Sequence, residues 1–232
     1  MRAGRRGFPP LDCREVKATA LCAMLSVALA VAYPKNVVAQ FFNEPDGAVT
    51  VGDRWVYDTR DEMTGQPKET YTEIVTKLSP EEAVVNLTFS GTPASVFVTY
   101  DRDWNCLDNL IWRFKPNSGE GISLPLAVGK IWRIEFDARN NLTGESIKGS
   151  SSSKVVAQED VATLAGIFNT FKIERQVRQF DAADPSKLTE SQIVLWYAPR
   201  INHFVRRTTV MKFAERTRSV MSEELADFTR GP

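Results

Sequence analysis

The sequence is short of the residues from which most bond-making sites are built. It holds one histidine, His203, and three cysteines in 232 residues. Any Ser-His-Asp or Cys-His arrangement would have to pass through that single imidazole, and a thiol- or imidazole-rich metal centre lacks ligands. There is no Asp-x-Asp-x-Asp-Gly loop, no phosphate-cradling glycine loop, no Gly-x-Ser-x-Gly elbow and no dinucleotide fingerprint. Charge of either sign is not in excess, with Lys+Arg and Asp+Glu both at 29, so the electrostatic footprint of a nucleic-acid binder is absent. No apolar run reaches the roughly 20 residues of a membrane-spanning helix. His203 follows Pro199-Arg200-Ile201-Asn202 and reads as a structural or solvent-exposed turn residue. No catalytic residue, metal ligand or cofactor is assigned.

What is present begins with an address. Arg2, Arg5, Arg6, Arg14 and Lys17 precede the uncharged run 18–32, and Val37-Val38-Ala39 follows Pro34. This is the layout of a secretory signal over 1–39, with small residues placing cleavage between Ala39 and Gln40; an uncleaved anchor is the alternative. Cys22 lies inside the apolar run behind Thr19-Ala20-Leu21, which argues against lipid attachment. Removal of the leader takes Cys13 and Cys22 with it, leaving Cys106 without a disulfide partner and a mildly acidic remainder with no affinity for anionic lipid. The mature chain is expected outside the inner membrane, periplasmic or secreted, with no membrane span.

After a short arm at 40–47, apolar residues recur with a period of two, the mark of half-buried strands. Trp132, Ile134 and Phe136 alternate with Arg133, Glu135 and Asp137; Ala83-Val85-Leu87-Phe89, Val96-Val98-Tyr100 and Ile193-Leu195-Tyr197 repeat the pattern. Pro- and Gly-bearing breakers separate these runs by distances too short for parallel crossovers. The expected fold is all-β over 48–229: an antiparallel, meandering, strongly curved sheet, or an open barrel or sandwich. Residues 161–175 also fit a helix face, but the β-branched Thr163, Thr170 and Ile173 favour strand, a turn at Ala165-Gly166, then strand. Ser222-Glu223-Glu224 could start a short helix as well.

An internal echo suggests two similar halves, 48–125 and 126–229. Val51-Gly52-Asp53-Arg54-Trp55 recurs as Val128-Gly129-Lys130-Ile131-Trp132, and glycine three residues before tryptophan fits a turn of positive φ. Lys68, Glu69, Glu73, Lys148 and Lys154 are assigned to the wet face, and the small side chains of 150–153 to an exposed edge or flexible loop. Glu135 and Asp137 have the spacing of paired acids on one strand face, though Arg133 and Arg139 beside them fit a solvated charge ladder.

Val51-Gly52-Asp53-Arg54-Trp55, the stretch Leu124 to Trp132, Gly166-Ile167-Phe168, Trp196-Tyr197-Ala198-Pro199 and a closing Glu224-Leu225-Ala226-Asp227-Phe228 together resemble uncharacterised bacterial exported β-rich proteins. The resemblance implies export, a β fold and a terminal strand over 219–228; it implies no activity. The functional expectation is a non-catalytic exported protein that binds an apolar ligand or serves as an envelope scaffold, with Trp112, Phe114, Trp132, Ile134 and Phe136 as candidate lining residues, for which filling a closed core is the favoured alternative. The alternatives are a carboxylate-dependent glycan-acting enzyme and a module that pairs an exposed edge strand with an envelope protein.

Overall fold

The computed structural model describes residues 47–232; the leader and the Ala39–Gln40 cleavage site lie outside the described residues. Twelve antiparallel strands run in chain order: β1 (Arg54–Asp61), β2 (Gln66–Leu78), β3 (Glu82–Phe89), β4 (Ser95–Asp101), β5 (Cys106–Asp108), β6 (Trp112–Lys115), β7 (Ile131–Asn140), β8 (Ser146–Thr163), β9 (Gly166–Asp181), β10 (Leu188–Ala198), β11 (His203–Phe213) and β12 (Arg216–Thr229). Each pairs with its neighbour in sequence, and β1 pairs with β12, so the meander closes into a barrel. Closure leaves no free edge among the described strands, and the edge-pairing surface expected as one alternative is therefore not offered. The only helical element described is one 3-10 turn, Pro199–Ile201.

Local chemistry sets these elements. Residues 161–175 form the end of β8, a turn at Leu164-Ala165 and the start of β9, where Gly166 takes φ of +127°. The β11–β12 turn is made by Ala214 and Glu215, both left-handed at +48° and +60°, the backbone that two-residue hairpins of right-twisted strands demand. Irregularities at Val75/Lys77 in β2 and Val155/Ala157 in β8 add the curvature that closure requires.

The two echoed segments make the same turn. Gly52 and Gly129 have φ of +93° and +92°. Each donates its amide at 2.8 Å to the carbonyl of a fully buried valine, Val75 in β2 and Val155 in β8. The segment before β1 is clasped to the C-terminal segment nearby: the Asp53 carboxylate, wholly buried, accepts hydrogen bonds from Thr50, the Gly231 amide and Arg230.

About eight strands make an interior that side chains alone can fill, and twelve make a wider one. Here the connection between β6 and β7 supplies part of the filling. Ile122 is buried with Phe136, Val155, Ile173, Val177 and Ile193 in one of two apolar groups, while Trp55, Tyr57, Val75, Val85, Val205 and Leu225 belong to the other. Gly121 permits the approach, because a Cβ there would lie 2.3 Å from the Asp103 carbonyl oxygen. Outward positions of β7 and β9, such as Arg133, Glu135, Asp137, Glu174 and Arg178, are exposed, so this exterior is wetted rather than an apolar band of the kind bilayers surround.

Candidate functional site

The space left between the inward loop and strands β2–β4, β11 and β12 is a cavity of about 360 Å³. It is bordered by Tyr71, Phe89, Tyr100, Trp104 and Phe204, by Leu87, Val98, Ile122 and Leu195, and by Glu73, Glu120, Arg175, His203, Arg207 and Glu223. The rings form a connected set: Trp104 stands edge-on to Trp55, Tyr100 and His203 with centroids 5.6, 5.5 and 4.8 Å apart, and His203 stacks on Trp55 at 4.6 Å.

The charged groups arrive through strand phase. In an antiparallel strand every second side chain faces inward, so Tyr71, Glu73 and Val75 share one face of β2, Ile173, Arg175 and Val177 one face of β9, and Glu223 and Leu225 one face of β12. Arg207 and Glu223 sit directly opposite across β11 and β12. Arg207 Nη2 donates to Glu223 Oε1 at 2.6 Å, with a second short bond from Nε to Oε2, and the Tyr71 hydroxyl donates to Oε1 at 2.8 Å. The neighbouring Arg206–Glu224 pair, one residue along, closes at 2.9 Å on the outer face. Arg207 and the Tyr71 hydroxyl hold the Glu223 carboxyl below its usual range against the opposing effect of burial.

A neutral hydrogen-bonded chain runs beside this pair. His203 Nε2 is 3.2 Å from Glu73 Oε2, His203 Nδ1 is 2.6 Å from the Tyr57 hydroxyl, and that hydroxyl donates to the Phe204 carbonyl at 2.8 Å. With the tyrosine proton committed to Phe204, Nδ1 is the donor to Tyr57 and Nε2 carries the lone pair, so the proton between Nε2 and Oε2 belongs to Glu73. Burial, the largest influence on each group, favours the same assignment: it pushes the Glu73 carboxyl up to about 7 and the imidazole down to about 3.

Arg175 holds the inward loop in place. Its Nη2 donates to the Gly121 carbonyl at 2.5 Å, its Nη1 to the Glu120 carbonyl and its Nε to Ser153 Oγ at 2.8 Å. Burial draws its pKa down to about 10, which still leaves it charged at neutral pH. The serine segment 150–153, expected as an edge or loop, is mid-strand in β8 with Ser151 and Ser153 buried; small side chains here make room for the loop rather than for solvent.

None of the five expected lining residues borders this cavity. Phe136 is buried in the second apolar group, Trp112, Phe114 and Trp132 pack against it, and a Cβ on Gly119 would come within 2.9 Å of Ile134. The inward loop covers that wall. His203 is not an exposed turn residue: it opens β11 and is buried at 7% exposure. Glu73, read as solvent-facing, is 6% exposed. Glu135 and Asp137 are on the wet face, where Asp137 lies 3.4 Å from Lys148. Burial pushes the Cys106 thiol up to about 12, so it is not a ready nucleophile. No cluster among the described residues could hold a metal ion, and no described helix is long and apolar enough to cross a membrane. The missed signal is phase: charged residues at 73, 175, 207 and 223 stand in register with apolar inward positions.

A scan against protein-family models and a search of curated proteins gave no match. Solved structures do match. A lipoprotein candidate from Parabacteroides distasonis ATCC 8503 superposes with a TM-score of 0.51 at 10% identity, covering 79% of this chain and 98% of its own. It shares the β fold. An exported-protein candidate with a YmcC-like fold from Bacteroides fragilis NCTC 9343 has a TM-score of 0.48 at 15% identity, covering 78% and 97% of the two chains. The hypothetical lipoprotein YmcC of Escherichia coli K12 has 0.46 at 11% identity, covering 77% and 85%.

Proposed function

We propose that this chain is an exported, non-catalytic binding protein whose barrel interior takes a small ligand with an apolar body. The observation that carries the reading is the cavity of about 360 Å³ walled by aromatic and aliphatic side chains beside a few polar groups, the usual make-up of a small-molecule site. The leader-like pattern at 1–39 supports export, and the similar structure from Parabacteroides distasonis, a lipoprotein candidate, is in keeping with it. Non-catalytic action is favoured by how the polar side chains are occupied: Arg207 engages Glu223, Arg175 engages backbone carbonyls, and the His203 ring spans Glu73 and Tyr57.

The test is uptake of a neutral fluorescent probe, N-phenyl-1-naphthylamine, by the purified protein. Saturable enhancement is expected, and Leu87→Trp, which fills the cavity from β3, is expected to abolish it while leaving the far-UV spectrum unchanged. Absence of saturable enhancement, or enhancement untouched by Leu87→Trp, would overturn the reading.

A further inference from the structure

The cavity has an unequal supply of free hydrogen-bonding groups. Its border carries three carboxyl groups, Glu73, Glu120 and Glu223, against two guanidinium groups, Arg175 and Arg207. The cations are already engaged: Arg207 grips Glu223 through two nitrogens, and all three nitrogens of Arg175 donate to Glu120, Gly121 and Ser153. Of the carboxyl groups only Glu223 is fully engaged. Glu73, with its side chain 8% exposed, uses Oε2 toward His203, and Oε1 takes no hydrogen bond from any described residue. The Glu120 carboxylate is exposed and accepts no hydrogen bond from a described residue, Arg175 donating to its backbone oxygen instead. Glu73 shares the cavity border with the rings of Tyr100 and Trp104, which stand edge-on to each other at 5.5 Å, and with His203, to which Trp104 is edge-on at 4.8 Å.

Resting on the reading of the cavity as a ligand site, we infer that it selects a small protonated amine on an apolar body, whose N–H donates to Glu73 Oε1 and whose positive charge lies against the Tyr100 and Trp104 rings. A ring quadrupole presents its negative face to a cation, and a desolvated acceptor with no donor gains most from a charged one. A carboxylate head finds both guanidinium groups already engaged, Arg207 by Glu223 and Arg175 by two backbone carbonyls and Ser153. A neutral alcohol could donate to Oε1 but gains nothing from the rings' electrostatic attraction.

The experiment uses three probes with the same ring and two-carbon chain: 2-phenylethylammonium, 2-phenylethanol and phenylacetate, titrated into the purified protein with tryptophan fluorescence as the readout. The ammonium ion is expected to bind at least about tenfold more tightly than either of the others. A bound ammonium favours the ionised form of Glu73, whose proton leaves to solvent; Glu73→Gln keeps the size of the side chain but cannot ionise, and is expected to bring the amine down to the affinity of the alcohol while leaving the alcohol unchanged. Tyr100→Leu, away from the His203 chain, is expected to weaken the amine severalfold more than the alcohol. Equal affinity for alcohol and amine, preference for phenylacetate, amine binding indifferent to both variants, or no binding of any probe would overturn the inference. Uptake of the neutral naphthylamine in that last case would leave the cavity standing as an apolar site, so the two failures are distinguishable.

Discussion

His203 Nε2 lies 3.2 Å from Glu73 Oε2, with both side chains about nine-tenths removed from solvent. Read as an ion pair, this contact would place two opposite charges in a box of aromatic rings. Read with the Tyr57 and Phe204 bonds beside it, it is a neutral contact in which the carboxyl carries the proton. Arg207 and Glu223, facing the same space, carry the charged pairing instead.

This arrangement predicts a flat stretch in the pH dependence of stability. Glu73 moves from its usual 4.5 to about 7, so its contribution is full below 4.5 and is lost as the pH rises toward 7. His203 moves from 6.5 to about 3, so its contribution is full above 6.5 and is lost as the pH falls toward 3. Between 4.5 and 6.5 the folded pair holds one proton, on Glu73, and the unfolded pair holds one, on His203, so the two slopes cancel. Urea unfolding across this range should show a plateau from the pair. With His203→Gln stability should fall as the pH rises from 4.5 to 7, and with Glu73→Gln it should fall as the pH drops from 6.5. Identical profiles for the wild type and both variants would refute the neutral assignment.

Arg207 and Arg206 are neighbours in β11 with opposite surroundings, which makes a paired prediction. Arg207→Met leaves Glu223, whose side chain is 13% exposed, without its cation. Because the pair keeps some contact with solvent, the expected loss is about 2–3 kcal/mol, at or below the range for fully buried pairs. Arg206→Met removes a pair exposed by more than a third on both sides and should cost under about 1 kcal/mol. Chemical denaturation of the two variants checks the difference; equal costs would mean the inward pair is no better sheltered than the outward one.

Gly52 and Gly129 share a backbone conformation but not a setting. A Cβ at Gly129 meets nothing within 4 Å, whereas one at Gly52 lies 3.0 Å from Pro232 Cδ and 3.2 Å from Gly231 Cα. Gly129→Ala should therefore cost only the strain of positive φ, about 1–2 kcal/mol, and Gly52→Ala that strain plus displacement of the C-terminal segment. Melting temperatures of the two variants decide; a larger loss at Gly129 would contradict the turn geometry.

Those two glycines also mark how far the sequence could be read. Alternation identified strands, and the Gly-x-x-Trp echo located two equivalent turns, because both depend on residues close in the chain. Closure of β1 on β12 was not legible, since it rests on pairing between residues as far apart in the chain as Arg54 and Thr229. The cavity lies against a different wall from the five expected lining residues for a related reason. Trp132, Ile134 and Phe136 do face inward, but nothing local announces that Gly119, Gly121 and Ile122 fold over that face. The Ala214-Glu215 turn carries none of the usual Asn-Gly chemistry, so only the flanking strands hinted at it. Glu73 was assigned to solvent because charge usually goes there, although its position between Tyr71 and Val75 put it in phase with the core.

Arg175 gives the prediction that bears most directly on how the cavity is kept. Its guanidinium donates to the carbonyls of Glu120 and Gly121 and to Ser153, joining the inward loop to β8 and β9. Arg175→Met fills similar space but leaves two backbone oxygens without these donors, each lost partner costing about 1–3 kcal/mol where water cannot replace it. Glu120 is exposed while Gly121 is buried, so the cost should be dominated by Gly121 and the total should fall near 2–4 kcal/mol. Amide exchange should quicken at Ser118 to Ile122, whose own bonds to Cys106 and Asp103 depend on the loop staying seated, while the β10–β11 ladder keeps its protection. Uniform acceleration across the barrel would show that Arg175 supports the fold as a whole, and unchanged exchange in the loop would show that Ile122 seats it without help.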